Sequence, residues 1–183
     1  MEEKIVYFEK PGKGNTEEVI HLVKQRAQAR EINRIVVAST RGGTAKDFLD
    51  AVRGTDYRLV IVPWQFGFKG EDQPFPQELV SELRTKGHQV HFGTMLFHTS
   101  EFYGTSAPQA MANILRTFGQ GTKVCLEILL MACDGGCIRI GEKVIAVAGT
   151  GSGADTAFVA TAAPSSRLGS LRIHEIICKP MMS

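Results

Sequence analysis

The sequence predicts an α/β protein: a mostly parallel sheet covered by helices on both faces, in a single domain of 183 residues. Three observations predict it. β-Branched runs at residues 35–37, 59–62 and 144–148 are apolar without alternation, as strands buried on both faces are. Segments with apolar residues at helical spacing lie between strands, so the two element types alternate over most of the chain. The last two predicted strands, 157–162 and 174–178, follow each other without a helix, which predicts an antiparallel edge.

Residues 4–9 (K-I-V-Y-F-E) read as the first strand, and Pro11, Gly12, Lys13 and Gly14 turn the chain. Asn15 with Glu18 three residues on predicts a capping box, and Val19, Leu22, Val23 and Ala27 form one apolar stripe. After the strand at 35–37, Ala45, Phe48, Leu49 and Val52 share a helix face. The strand at 59–62 ends at Pro63, and residues 64–75 are an irregular, aromatic and glycine-rich stretch. A helix after Pro76 turns Leu79, Val80 and Leu83 inward and stops at Gly87. A short strand at 90–93 leads into a polar, aromatic loop at 94–105. Ser106 and Gln109 predict a second capping box, for a helix whose Ala110, Met111, Ile114, Leu115 and Phe118 face the core. Residues 124–134 are apolar almost all round, which predicts a buried central helix ended by Gly135 and Gly136.

A chain of this size buries roughly 70% of its unfolded surface and needs no staples. Hydrophobic residues make up 43%, charged residues 22%, and the formal charge is +2. With no long basic run, no nucleic-acid partner is expected. Met1, Glu2, Glu3 and Lys4 lack a signal peptide's basic start and apolar core. The longest apolar stretch is broken by Glu127 and is too short to cross a membrane. A cytoplasmic protein with reduced thiols at Cys125, Cys133, Cys137 and Cys178 is therefore expected, with no membrane partner and a homo-oligomer left open. The Cys133-x-x-x-Cys137 pair has no second pair or histidine cluster beside it, so no metal is expected.

The segment 34–45 reads R-I-V-V-A-S-T-R-G-G-T-A. Strand, hydroxyl/glycine loop and helix in that order can hold a phosphate: glycines let it approach, Ser39, Thr40 and Thr44 donate, Arg41 adds charge, and the helix start offers free N–H groups. The competing reading is a tight turn at Gly42 and Gly43 with Thr44 as a helix cap. The hydroxyl-x-x-Gly-x-Thr spacing also resembles the phosphate loop of flavodoxins, which carry flavin mononucleotide, although Arg41 stands where those usually have a hydroxyl.

A second loop holds Gly149, Thr150, Gly151, Ser152, Gly153, Ala154, Asp155 and Thr156. Its Gly-x-Gly-x-x-Ala start is followed by a strand-like stretch, which argues against a dinucleotide site. It reads as a flexible lid over a phosphate or sugar, with Asp155 accepting from ligand hydroxyls, or as a plain connection. Pro11-Gly12-Lys13-Gly14 lacks the spacing of a Walker A loop. Glu127, in V-C-L-E-I-L-L-M-A, holds a ligand's polar groups or pairs with water or a cation. Trp64, Phe66, Phe68, Phe97, Phe102 and Tyr103 either stack on a planar ring or pack their loops. His98 is the acid–base candidate by position, set against a plain loop histidine.

Residues 33–163 resemble the C-terminal α/β domain of pyruvate kinase. The likeness rests on the 35–45 strand and loop, and on Gly141-Glu142-Lys143-Val144 through Val147-Ala148-Gly149-Thr150 with Asp155-Thr156. The whole chain looks like the stand-alone pyruvate kinase α/β-domain proteins of archaea and bacteria, through Tyr7-Phe8-Glu9-Lys10-Pro11-Gly12, Asn15-Thr16-Glu17-Glu18, Gly153-Ala154-Asp155-Thr156-Ala157 and Glu175-Ile176-Ile177-Cys178-Lys179-Pro180. The resemblance implies a three-layer α/β/α sandwich with a mixed five-strand core sheet, one strand antiparallel. In the kinase these two loops hold an allosteric sugar bisphosphate and the chemistry sits in a separate barrel. The resemblance therefore implies binding rather than kinase activity, with flavin mononucleotide as a ligand. Asp155 departs from the kinase loop and would repel a second phosphate, which favours a monophosphate with a polyol arm. The expected site comprises Ser39, Thr40, Arg41, Gly42, Gly43, Thr44, Glu127 and residues 149–156. The alternatives are an enzyme on a small phosphorylated metabolite, with His98 or Glu127 as acid or base, and a regulatory or sensor subunit.

Overall fold

The computed structural model describes residues 2–181. β-Branched, doubly buried segments form a seven-stranded sheet in the order β1-β7-β6-β5-β2-β3-β4. The strands are β1 (Val6–Phe8), β2 (Arg34–Ala38), β3 (Arg58–Val62), β4 (Gln89–Val90), β5 (Lys143–Ala148), β6 (Thr156–Thr161) and β7 (Arg172–Pro180). All neighbours pair in parallel except β6, which runs antiparallel to β5 and β7. The antiparallel pairing is thus among the late strands, where the sequence puts it. β6 itself lies third from that margin, because β7 turns back parallel to β5 and recruits β1 outside it. The shortest strands, β1 and β4, form the two edges, which limits their use as templates for another chain.

The helices are α1 (Thr16–Ala29), α2 (Gly43–Ala51), α3 (Gln77–Thr85), α4 (Ser100–Tyr103), α5 (Ala107–Arg116) and α6 (Gln120–Asp134). Period-2 alternation divides the sheet's side chains between two cores. Ile35, Val37, Leu59, Ile61, Ile145 and Val147 meet Val19, Val23, Phe48, Leu49, Val80 and Leu83 of α1, α2 and α3. Val36, Val60, Val144, Ala146, Phe158 and Ala160 meet Cys125, Ile128, Leu129 and Ala132 of α6. Helices therefore cover both faces, and α6 is the buried central helix that its apolar run predicts. No helix among the described residues is long and apolar enough to cross a membrane.

Local details differ from the sequence expectations. Asn15 does not cap α1: its amide donates to the carbonyls of Lys10 and Gly12. Ser106 does not cap α5, and Thr105 Oγ1 accepts the Ala107 N–H instead. The strand expected at 90–93 is only Gln89–Val90, and the loop expected at 94–105 contains a 3-10 turn (Leu96–His98) and α4. The largest difference is α5. Only Ala112 is buried, while Ile114 is 64% and Phe118 60% exposed, because α5 packs on the outside of α6 and never reaches the sheet.

Candidate functional site

The crossover from β2 to β3 runs through α2 on one face, and the return to β5 runs through α6 on the other. β5 comes back beside β2, with Val37 paired to Val147. β2 and β5 are adjacent parallel strands, so the loops at their carboxyl ends, one entering α2 and the other the β5–β6 hairpin, lie side by side at the same sheet edge. The loop after β2 is Ser39–Thr44, and the loop after β5 runs to Asp155.

In the first loop, Ser39 is buried and its Oγ accepts the Ala45 N–H at 3.1 Å. It caps the first turn of α2 as an acceptor, which leaves its own O–H as a donor. Gly42 sits at φ +86, and a Cβ there would come within 2.8 Å of the Leu79 side chain. The turn packs against the start of α3 and admits only glycine. Thr44 is nearly buried, whereas Arg41 and Gly43 are exposed and Thr40 is half-buried. Gly43 and Thr44 open α2, and the first N–H groups of a helix have no partner within it.

The second loop is anchored rather than lid-like. Asp155 is fully buried, and Oδ2 accepts the N–H groups of Gly12 (2.8 Å) and Thr150 (2.9 Å) while Oδ1 accepts the Thr156 hydroxyl (2.7 Å). Ala154 N–H donates to Thr16 Oγ1 at 3.0 Å. A Cβ on Gly153 would lie 2.5 Å from Lys13 Cα, and one on Gly149 2.3 Å from the Gly153 carbonyl. These contacts clamp the loop to the β1–α1 turn, leaving Gly151 and Ser152 exposed at its tip with Lys13 alongside. Asp155 therefore binds its own backbone and does not offer its carboxylate outward.

On the α6 face the edge is closed by contacts running from β3 to β6. Trp64 meets Phe68 edge-on at 5.1 Å, and Phe68 meets His98 at 4.8 Å. His98 Nε2 is 3.0 Å from Lys123 Nζ, which is 2.5 Å from Glu127 Oε2. The other Glu127 oxygen accepts the Phe97 N–H at 2.9 Å. Two residues before Lys123, Gly121 lies so close to Thr156 and Asp155 that a Cβ would clash with both. Glu127 thus takes the cationic partner that was one of its two readings. Its oxygens are both occupied, so only His98 of the two acid–base candidates reaches solvent. Burial and the neighbouring Lys123 lower the His98 pKa, with Arg116 acting the same way and Glu127 against. Burial likewise lowers the Lys123 pKa, and Glu127 opposes it.

The six aromatics do not form one wall. Trp64, Phe68 and Phe97 gather around His98 and Lys123. Phe66 packs on Phe92, and Phe102 and Tyr103 pair with each other on the surface. Sequence reasoning missed Lys123 and the Gly12–Thr16 anchor. A lysine four residues before a glutamate in an apolar helix was the available signal for the first. Two open grooves lie elsewhere, one of about 480 Å³ along α1 (His21, Lys24, Tyr57) and one of about 400 Å³ near the end of α6 (His91, Thr94, Asp134). Neither is walled by the two glycine-rich loops, and the edge between those loops is the better candidate because it carries the open start of α2 and the cations Arg41 and Lys13. No protein-family model matches the chain.

Proposed function

We propose that this protein binds a small phosphorylated ligand, flavin mononucleotide or another phosphorylated metabolite, between the β2 and β5 loops. The observation that carries the reading is the parallel pairing of β2 with β5, which sets the two Gly/Thr loops side by side at the carboxyl edge of the sheet. The phosphate rests on the open N–H groups of Gly43 and Thr44, with the Thr40 hydroxyl and the Arg41 guanidinium beside it. Ser39 and Gly42 shape this cradle from behind, and Lys13 adds charge from the β1–α1 turn. Gly151 and Ser152, at the tip of the anchored loop, border the rest of the ligand. The resemblance to the pyruvate kinase C-terminal domain supports the same pair of loops and a binding role.

Titration with flavin mononucleotide tests the reading. The expected result is saturable quenching of flavin fluorescence at one site per chain. Absence of quenching, together with no thermal shift from a panel of phosphorylated metabolites, contradicts it.

A further inference from the structure

Lys123 and Glu127 are 1% and 2% exposed in an otherwise apolar helix. Buried pairs of this kind are often replaceable by apolar residues without loss of stability, so stability alone does not account for one. What this pair holds is His98. An ammonium has three donors and no acceptor, so the His98 Nε2 at 3.0 Å accepts from Lys123 and the ring proton sits on Nδ1. The charged groups facing the ring are Lys123 and Glu127 of α6 and Arg116 at the end of α5. A ring that accepts from the Lys123 ammonium at Nε2 is the neutral form, and burial and Lys123 lower its pKa in the same sense. No hydrogen bond to Nδ1 is made among the described residues, and His98 is half-buried at the carboxyl edge against Phe68, which itself packs on Trp64.

We propose that His98 is a ligand-facing hydrogen-bond donor, locked as the neutral Nδ1–H tautomer by Lys123 and Glu127, and that it recognises a ring carbonyl oxygen on the planar part of the ligand. Lys123 and Glu127 are positioning residues, and the aromatic pair flanks the ring. The placement rests on the phosphorylated-ligand reading above.

Histidine ¹⁵N spectroscopy tests the lock without ligand. His98 Nδ1 is expected to be pyrrole-like and Nε2 pyridine-like in the free protein, and the charge-free K123L/E127L variant is expected to lose that assignment. A predominant Nε2–H form in the wild type overturns the proposal whether or not the variant folds. Binding is then measured with flavin mononucleotide and with ribose 5-phosphate, which lacks the planar ring. Flavin mononucleotide is expected to shift Nδ1 and ribose 5-phosphate to leave it. H98A should weaken flavin mononucleotide binding about tenfold, H98N, which keeps a donor near the Nδ1 position, less than about threefold, and neither should change ribose 5-phosphate binding. If ribose 5-phosphate binds but the flavin does not, or H98A binds the flavin as wild type does, the proposal fails and the phosphate reading stands. If neither ligand binds the wild type, both fall.

Discussion

Asp155 accepts the backbone N–H of Gly12 at 2.8 Å across 143 residues of sequence, and the same oxygen accepts Thr150 N–H at 2.9 Å. One buried carboxylate therefore joins the first loop of the chain to the last glycine-rich one. D155A would orphan both part-buried N–H groups and is expected to cost at most about 2–6 kcal/mol, the sum of about 1–3 kcal/mol for each stranded donor. D155N, whose oxygen still accepts, should cost less. Urea denaturation checks this, and a loss below about 0.5 kcal/mol for D155A would show that the clamp is not structural.

The Lys123–Glu127 pair makes a sharper energetic statement. Removing one partner strands a buried charge, so K123L or E127L alone should destabilise by about 3–5 kcal/mol, while K123L/E127L together should lose only the about 1–3 kcal/mol of the stranded Phe97 N–H, well short of the two single losses added. A double-mutant cycle by chemical denaturation measures the coupling. Additive losses in the double variant would contradict a mutually compensating pair.

Much of this fold was legible. The runs Ile35–Val37 and Val144–Ala148 read as doubly buried strands, and the apolar stretch of α6, with a length that favours a helix, reads as central. Helix α5 shows where periodicity stops helping. Met111, Ile114 and Phe118 keep helical spacing, yet the helix touches its neighbours through Ala112 and Leu115, the other apolar face. Spacing reports amphipathicity, not the layer a helix joins. The site was legible as two loops, because each carries its glycines locally. Its anchor was not, since nothing near Asp155 in sequence points to Gly12. Nor does an i, i+4 Lys–Glu pair reveal whether it is solvated or sealed.

Stability should fall on mild acidification. His88, His91 and His98 all have lowered pKa values, burial being the leading cause for each. The folded state therefore binds protons more weakly than the unfolded chain, whose histidines titrate near about 6.5. The resulting stability is fully present above that pH and is lost as pH falls through the folded values. At His88 the Arg58 and Lys86 charges add to burial, and Nδ1 accepts the Leu59 N–H at 3.2 Å, a bond that a protonated ring cannot make. Glu175, held low chiefly by Arg30, adds its loss as pH falls from the ordinary carboxylate range through its lowered folded value. Urea melts at pH 7.5, 6 and 5 should show a decline that H88N makes shallower. A flat profile from pH 7.5 to 5 would contradict it.

Two glycines of the β5–β6 loop should behave differently. Both have left-handed φ, +71 at Gly153 and +75 at Gly151, so alanine at either costs about 1–2 kcal/mol in backbone strain. At Gly153 a Cβ also meets Lys13 Cα and Thr16 Oγ1 at 2.5 Å, whereas at Gly151 it meets nothing. G153A should be clearly the more destabilising in thermal melts, and equal losses would contradict the close packing of this loop on the β1–α1 turn.

The central claim is that the loops after β2 and β5 form one phosphate site. The most direct measurement compares the affinities of flavin mononucleotide and riboflavin, which differ only in the phosphate, for wild type and for T40V/R41Q. Flavin mononucleotide should bind the wild type at least about tenfold more tightly, as expected for a charge-assisted contact. That advantage should shrink to near parity in the variant, with riboflavin affinity unchanged. Equal affinity of both flavins for the wild type, or a phosphate advantage that survives the substitutions, would contradict the account.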